Sequence, residues 1–447
     1  MSISLLQKYA SIGLGLLRWL LVLVPMSLAV GSGCALLLWL LEEATLYRFA
    51  YPALLYALPF AGVAVGLIYY WWGGRAEGGN NLILDEIDKP NEGVPLRMAP
   101  LILLGTVVSH LFGASVGREG SAVQIGGSLA STFGRWFHFD ERQTRILLIA
   151  GVAAGFGAIF GTPIAGAVFG LEVLAVGQIS YSAILPSMLA SVIADWTCYQ
   201  WGIHHPTYPM GFHGIADAKG LVPHANAWLL LKVCVAALAF GLVSRLFVES
   251  VQFLSSIVKK ICPQSWLRPL IGGVLTIVLV WILGTRDYLG LGIIAPEVGG
   301  ASIINFFGTS HYTWSWLLKL VFTVVALSCS YKGGEVTPLF FIGAGLGNAL
   351  APVLGVPNDL LAGVGFMAVF AACANTPMAC IFMAVELFGS ANIVYYALGC
   401  VVAYLVSGYT GIYLSQRVEA PKIWNKSFVP GTILRQARLG QWGKPTL

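Results

Sequence analysis

The chain has 447 residues and a formal net charge of +5, with 57% hydrophobic and only 10% charged residues. Soluble globular proteins carry about 25% charged residues, so this surface cannot be a water-exposed one and most of the exterior must face lipid. The small positive excess is not gathered in a basic domain, and no nucleic-acid partner is expected.

Apolar stretches run near 11–41, 50–72, 98–116, 146–176, 182–201, 227–248, 270–284, 315–330, 338–355, 361–388 and 393–415. A vertical span needs about 20 residues. Several stretches are longer, and others are shorter or cut by Gly and Pro. Such uneven lengths predict an all-α polytopic membrane protein with tilted, re-entrant and half-spanning helices, because broken helices at membrane depth are tolerated only where they line a site or lie inside protein. The first stretch, with Lys8, Arg18 and Gly31-Ser32-Gly33-Cys34, faintly resembles a cleaved lipoprotein signal, but the apolar run resumes from Ala35 to Leu41 and reads as a retained span. Eight cysteines show no CxxC pair and lie mostly in apolar runs, as small core residues do. From Gln416 onward Arg417, Lys422, Lys426, Arg435, Arg438 and Lys444 face only Glu419, which predicts a short basic cytoplasmic tail over 416–447.

The second half repeats the first. Thr162-Pro163-Ile164-Ala165, with Glu172 nine residues after the proline, matches Thr376-Pro377-Met378-Ala379 with Glu386 nine after its own. Gly117-Arg118-Glu119 matches Gly333-Gly334-Glu335, and Gly78-Gly79 roughly matches Gly290-Leu291-Gly292. The offsets are 214, 216 and about 212 residues, in one order. Two such halves with interrupted helices at matching places are the signature of a transporter built from repeats, with its site at their interface. The expected organisation is a membrane domain over 1–415, with repeats at about 50–201 and 227–415, followed by the tail.

Glu119 lies in Gly117-Arg118-Glu119-Gly120-Ser121 between two helical stretches. A carboxylate at membrane depth costs at least about 2.5–3.5 kcal/mol, so it marks a protein-lined cavity, typically a proton relay or an ion gate. The competing reading is an interfacial helix cap beside an arginine. Gly79-Asn80-Asn81-Leu82 opens a helix whose N-terminus favours an anion, or is an ordinary N-cap in a loop. Gly333-Gly334-Glu335-Val336-Thr337-Pro338 offers a second such N-terminus, with proline near its first turn. Gly113-Ala114-Ser115-Val116-Gly117 fits G-x-S-x-G, but the strand-turn-helix of a soluble sheet is absent and no histidine sits in a suitable span, so a hydrolase is rejected. His204-His205 with Cys198 reads as interfacial rather than as a metal site. No cofactor or metal is expected, and no enzymatic function.

These motifs together resemble the CLC family of anion channels and proton-coupled anion exchangers. They are Gly117-Arg118-Glu119-Gly120, the Thr162–Glu172 run, Lys319 to Thr323 leading into Gly333–Pro338, and the repeat at 376–386, which follow the family's order over about 60–420. The resemblance implies a homodimer with one pathway per subunit, and inverted halves whose helix N-termini point at dehydrated anions near mid-membrane. No paired nucleotide-binding modules are expected after the last helix, because the sequence ends soon after it. Chloride members have Gly-Ser-Gly-Ile-Pro where this chain has Gly79-Asn80-Asn81-Leu82, so Asn80 replaces the anion-coordinating serine. Ser121 replaces the proline of Gly-Arg-Glu-Gly-Pro, and Val336 replaces the phenylalanine of the second loop. Chloride/proton exchangers often place a proton-accepting glutamate at Val173, next to Glu172 here.

These departures are similar to the bacterial fluoride/proton antiporter branch, with Asn80 and Gly334-Glu335-Val336-Thr337-Pro338 as its marks. The resemblance therefore implies fluoride export in exchange for protons across a bacterial inner membrane, with a chloride channel or chloride/proton exchanger as the alternative. Glu119 is expected to gate and carry protons, with Glu335 as second proton-transfer group. Gly79, Asn80, Asn81, Arg118, Gly120, Val336, Thr337 and Tyr413 are expected to hold the anion. Tyr413 matches the family's inner-gate tyrosine, with Tyr409 as the second choice.

Overall fold

The two longest uninterrupted apolar runs of the middle and the end each fold as a pair of helices broken at the same kind of turn. The computed structural model describes residues 3–213, 215–216, 223–224, 226–422 and 428–442, so Lys426 and Lys444 of the basic tail lie outside the described residues. The first half runs α1 (Ile3–Ala50), α2 (Leu58–Trp72), α3 (Gly79–Asp88), α4 (Met98–Leu111), α5 (Glu119–Trp136), α6 (Glu141–Phe160), α7 (Pro163–Glu172) and α8 (Ile184–Gln200). The second half runs α9 (Ala227–Ile261), α10 (Arg268–Leu283), α11 (Ser315–Ser328), α12 (Val336–Leu354), α13 (Asn358–Ala374), α14 (Pro377–Phe388) and α15 (Ile393–Val406). A short α16 (Leu434–Arg438) closes the tail. Six of the described helices are long and apolar enough to cross a membrane. By contrast α3 and α7, at 10 residues each, are about 15 Å long, half a bilayer core.

The break between α6 and α7 falls at Gly161-Thr162, and that between α13 and α14 at Asn375-Thr376. Gly161 (φ 70°) and Asn375 (φ 59°) both end their helices in the left-handed region, which glycine takes freely and asparagine tolerates. Proline then starts the next helix where its missing N–H costs nothing.

The halves also pack alike. α5 crosses α6 through Gly126 and Gly151, and α12 crosses α13 through Gly343 and Gly365. A Cβ at any of these would fall on the facing backbone, so only glycine permits the approach that makes the van der Waals contact between membrane helices. The caps are exchanged between halves as well. Glu172, at the end of α7, accepts from the Met378 and Ala379 amides of α14 at 3.1 and 2.8 Å. Glu386, in α14, accepts from the Ile164 and Ala165 amides of α7 at 2.9 and 2.8 Å. Each helix thus satisfies the orphan donors at the start of the other, with negative charge at a positive helix end.

The tail folds back onto this bundle. β1 (Ala175–Val176) pairs in parallel with β4 (Arg417–Val418), which pairs with β5 (Thr432–Ile433); a separate hairpin joins β2 (Ile215–Ala216) to β3 (Pro223–His224). Arg417 bonds the Asp88 carboxylate at 2.6 Å, and Arg438 pairs with Glu249 of α9.

Candidate functional site

The loops that precede α5 and α12 meet back to back. The Gly117 amide donates to the Gly334 carbonyl at 2.5 Å and the Gly334 amide donates to the Gly117 carbonyl at 2.7 Å, a two-residue antiparallel bridge. This corrects the pairing read from the sequence by one residue. Gly117 stands opposite Gly334 rather than Gly333, the N-caps are Arg118 and Glu335, and the counterpart of Glu119 is Val336. The bridge draws the N-termini of α5 and α12 together, so that two sets of unpaired amides and two positive dipole ends face one volume.

Glu119 occupies that volume. It is buried, its Oε2 accepts from the Arg118 amide at 3.0 Å, and its Oε1 accepts from the Thr337 hydroxyl. A Cβ at Gly334 would lie 2.9 Å from Glu119 Oε2, and one at Gly120 would lie 2.9 Å from Asn80 Nδ2. The glycines therefore let the carboxylate and the amide side chain reach the helix ends. Val336 and Thr337 are buried in the first turn of α12.

Asn80 lies in the first turn of α3, its Oδ1 sealed from solvent with no hydrogen-bond partner among the described residues. It shares a cavity of about 10 Å³ with Ile83, Leu84, Val123, Val152, Phe169, Val173 and Tyr413, room for about one water-sized particle. Tyr413 is buried there with its ring 6.3 Å from Phe169, edge to face. Tyr409 instead packs on Trp442 of the tail, with ring centroids 4.9 Å apart. Asn81, also expected at the anion, accepts through its Oδ1 from the Ser415 amide at 3.1 Å and ties α3 to the segment carrying Tyr413. Gly79 begins α3 at φ +57°, a conformation that costs glycine little.

Glu335 is half-buried as the N-cap of α12, and its carboxylate makes no hydrogen bond or ion pair with a described residue. It lies within electrostatic reach of Glu119 and Tyr413. Val173 is buried, and its carbonyl accepts from Gln416 Nε2 at 2.8 Å. Glu172 next to it is engaged with α14, so it does not face the cavity. Ser115, the centre of the G-x-S-x-G pattern, is buried against the Thr323 hydroxyl at 3.0 Å.

Sequence reasoning did not single out Gln416. Fully buried, it donates to the carbonyls of Val173 and Ala374 and accepts from Asn375 Nδ2, which pins the extended segment holding Tyr413 against the ends of α7 and α13. A lone glutamine at the edge of the tail carries no spacing pattern that announces this role. The Glu172 and Glu386 caps, in contrast, were visible as carboxylates nine residues after matching prolines.

Inverted halves, broken helices meeting end to end and a single-particle cavity one turn along α5 from a buried carboxylate define a membrane anion transporter of the repeat type. The family profile described as "Voltage gated chloride channel" matches residues 61–408, and the chain belongs to that family, the CLC channels and proton-coupled exchangers. It is 48% identical over 411 residues to the "Chloride/fluoride channel protein" of Pseudomonas syringae pv. tomato, covering 91% of this chain and 87% of that one. Among solved structures it is similar to a CLC-type fluoride/proton antiporter, at 33% identity and a TM-score of 0.83, over 90% of this chain and 98% of that one. It shares the fold of a slow cyanobacterial Cl⁻/H⁺ antiporter, at 17% identity and a TM-score of 0.72, over 87% and 94% of the two chains.

Proposed function

We propose that this protein exports fluoride in exchange for protons across the bacterial inner membrane. The observation that carries the reading is the water-sized cavity between Asn80 and Tyr413, lined by Val123 of α5 one turn along from the buried Glu119 carboxylate at that helix's N-terminus. Fluoride is small and strongly hydrated, so its site must replace water with donors set close together. The Asn80 amide offers two N–H donors where a serine hydroxyl offers one. The Tyr413 hydroxyl adds a donor from the facing wall. A larger anion gains less from so tight a volume, and the site discriminates through desolvation rather than charge. The names of the 48%-identical relative and of the 33%-identical structure, both of which include fluoride, support the same substrate.

Glu119 supplies the exchange. Its carboxylate takes the anion's place at the helix ends; protonation removes its charge and frees that place for fluoride. One group that binds either a proton or, by leaving, an anion makes the two ions alternate. Glu335 carries protons toward the other side, in place of the glutamate that chloride/proton exchangers often have at Val173. Arg118 holds the approach to the gate at positive potential.

The tail side faces the cytoplasm in this reading. Arg18, Arg135, Arg417 and Arg438 all lie at that end, Arg18 on the Phe137 and His138 carbonyls and Arg135 on the Val94 carbonyl, as the positive-inside rule requires. The subunit pairs with a second copy across the face where α7 and α14 expose Ile164, Met378 and Phe382. Chloride/proton exchange on the same fold is the second reading, favoured by the chloride in the relative's name. Proteoliposomes loaded with equal fluoride or chloride separate the two by ion-selective electrode. The proposal expects fluoride to leave at least about tenfold faster, a discrimination of roughly 1.4 kcal/mol; equal rates contradict it.

A further inference from the structure

Gln416 is bonded to two walls of the small cavity at Asn80 without lining it. It is fully buried. Its Nε2 donates to the Val173 and Ala374 carbonyls, each at 2.8 Å, and its Oε1 accepts from Asn375 Nδ2 at 3.0 Å. Val173 is the cap at the end of α7, while Ala374 and Asn375 close α13. Carbonyls at a helix end have no partner within the helix. One side-chain amide therefore serves the ends of two broken helices from different halves of the chain, with both of its N–H groups in use.

The same residue closes a turn. Its main-chain amide donates to the Tyr413 carbonyl at 3.2 Å, so Tyr413 and Gln416 are the first and last residues of a hydrogen-bonded four-residue turn. Inside the turn the Ser415 amide is held by Asn81, the neighbour of Asn80. Before it, the Ile412 amide donates to the Cys373 carbonyl at 2.9 Å. Tyr413 and Val173 both line the cavity. They are joined through Gln416 alone of these groups, by its main chain on one side and its side chain on the other. Tyr413 cannot draw back from Val173 with the turn unless the bonds of Gln416 break.

We propose that Gln416 is a positioning residue that sets the anion selectivity of the site, by holding Tyr413 and Val173 at the spacing that suits fluoride and not the larger chloride. The inference rests on the transport reading above. In a volume of about 10 Å³ a slight change of wall spacing decides which particle fits, and a site is only as exact as the bonds that support its lining residues. Gln416→Met keeps nearly the length of the side chain but leaves two buried carbonyls without their donor. The turn is then free to part from α7. Fluoride loses its close contact with the tyrosine wall, and chloride gains room.

Gln416→Met and the wild type, reconstituted in vesicles loaded with equal fluoride and chloride, test this by ion-selective electrode. The chloride-to-fluoride flux ratio should rise severalfold in Gln416→Met. In a Tyr413→Ala background the same substitution should leave the ratio where it is, because the wall that Gln416 positions is gone. A glutamine that only stabilises the fold would lower the melting temperature and slow both anions alike. An unchanged ratio in Gln416→Met, or the same rise in both backgrounds, overturns the proposal. If Gln416→Met does not fold, Gln416→Asn, whose shorter amide does not reach both carbonyls, takes its place; failure of both to fold overturns the proposal as well. The wild-type ratio by itself reports on the transport reading, and the change in that ratio reports on Gln416.

Discussion

Gly117 and Gly334 exchange both of their main-chain hydrogen bonds, at 2.5 and 2.7 Å, although they lie in different halves of the chain. This bridge fixes where the two helix N-termini converge. The glycine is required on steric grounds, because a Cβ at Gly334 would stand 2.7 Å from the Gly120 nitrogen and 2.9 Å from the Glu119 carboxylate. The position of Glu119 thus follows from backbone pairing at a pseudo-twofold contact, and not from any one side chain.

The exchanged caps make a prediction about stability. Glu172→Ala leaves the Met378 and Ala379 amides without an acceptor inside the protein and should cost about 2 kcal/mol, the size of a lost charge-assisted cap. Glu386→Ala should cost less, because Glu386 is only half-buried and water can replace part of what it does. Thermal melts in detergent check the order; a Glu386→Ala protein that melts lower than Glu172→Ala contradicts it.

Asn80→Ser restores the residue of the chloride-type loop and removes one donor from the small cavity. Chloride flux relative to fluoride flux should rise severalfold, read by paired electrode assays on the same vesicles. An unchanged ratio would move selectivity to Tyr413 or to the helix-end amides.

Glu335→Ala removes a carboxylate that has no structural partner among the described residues, so its loss should spare folding. Turnover or proton coupling should fall by about tenfold or more, within the range that a positioned proton-transfer group contributes. A variant that melts normally and exchanges at the wild-type rate removes Glu335 from the proton path.

The docking of the tail should depend on pH. Lys422 donates to the Tyr404 carbonyl at 3.1 Å and to the Ser407 hydroxyl at 3.2 Å, and burial pushes its ammonium from the ordinary 10.5 down to about 7. The docked state disfavours the charged form, so docking is weakest below pH 7 and strengthens as the pH rises from 7 toward 10.5. Proteolytic cleavage of the tail, taken as the ratio of wild type to Lys422→Met at each pH, should fall over that range. A flat ratio removes Lys422 from the account.

The broken helices were legible because Thr-Pro sits at matching places in both halves, and Glu119 because a charge beside an apolar run stands out. Asn80 and Asn81 were both read as anion-holding, and the tie between Asn81 and Ser415 was not legible. Adjacent asparagines differ only in which face of α3 they take, and that is set by Ser415, more than 300 residues away. Tyr413 was preferred to Tyr409 through the family resemblance alone, whereas the packing of Tyr409 on Trp442 of the tail exists only in the folded chain.

The central claim is that one carboxylate, Glu119, couples the two ions. Vesicles containing the protein should drive protons uphill when a fluoride gradient is imposed, with pH and fluoride recorded together. Glu119→Gln, which can neither take up nor release a proton, should abolish the proton movement. Proton pumping that continues in proportion to fluoride flow in Glu119→Gln would contradict the account.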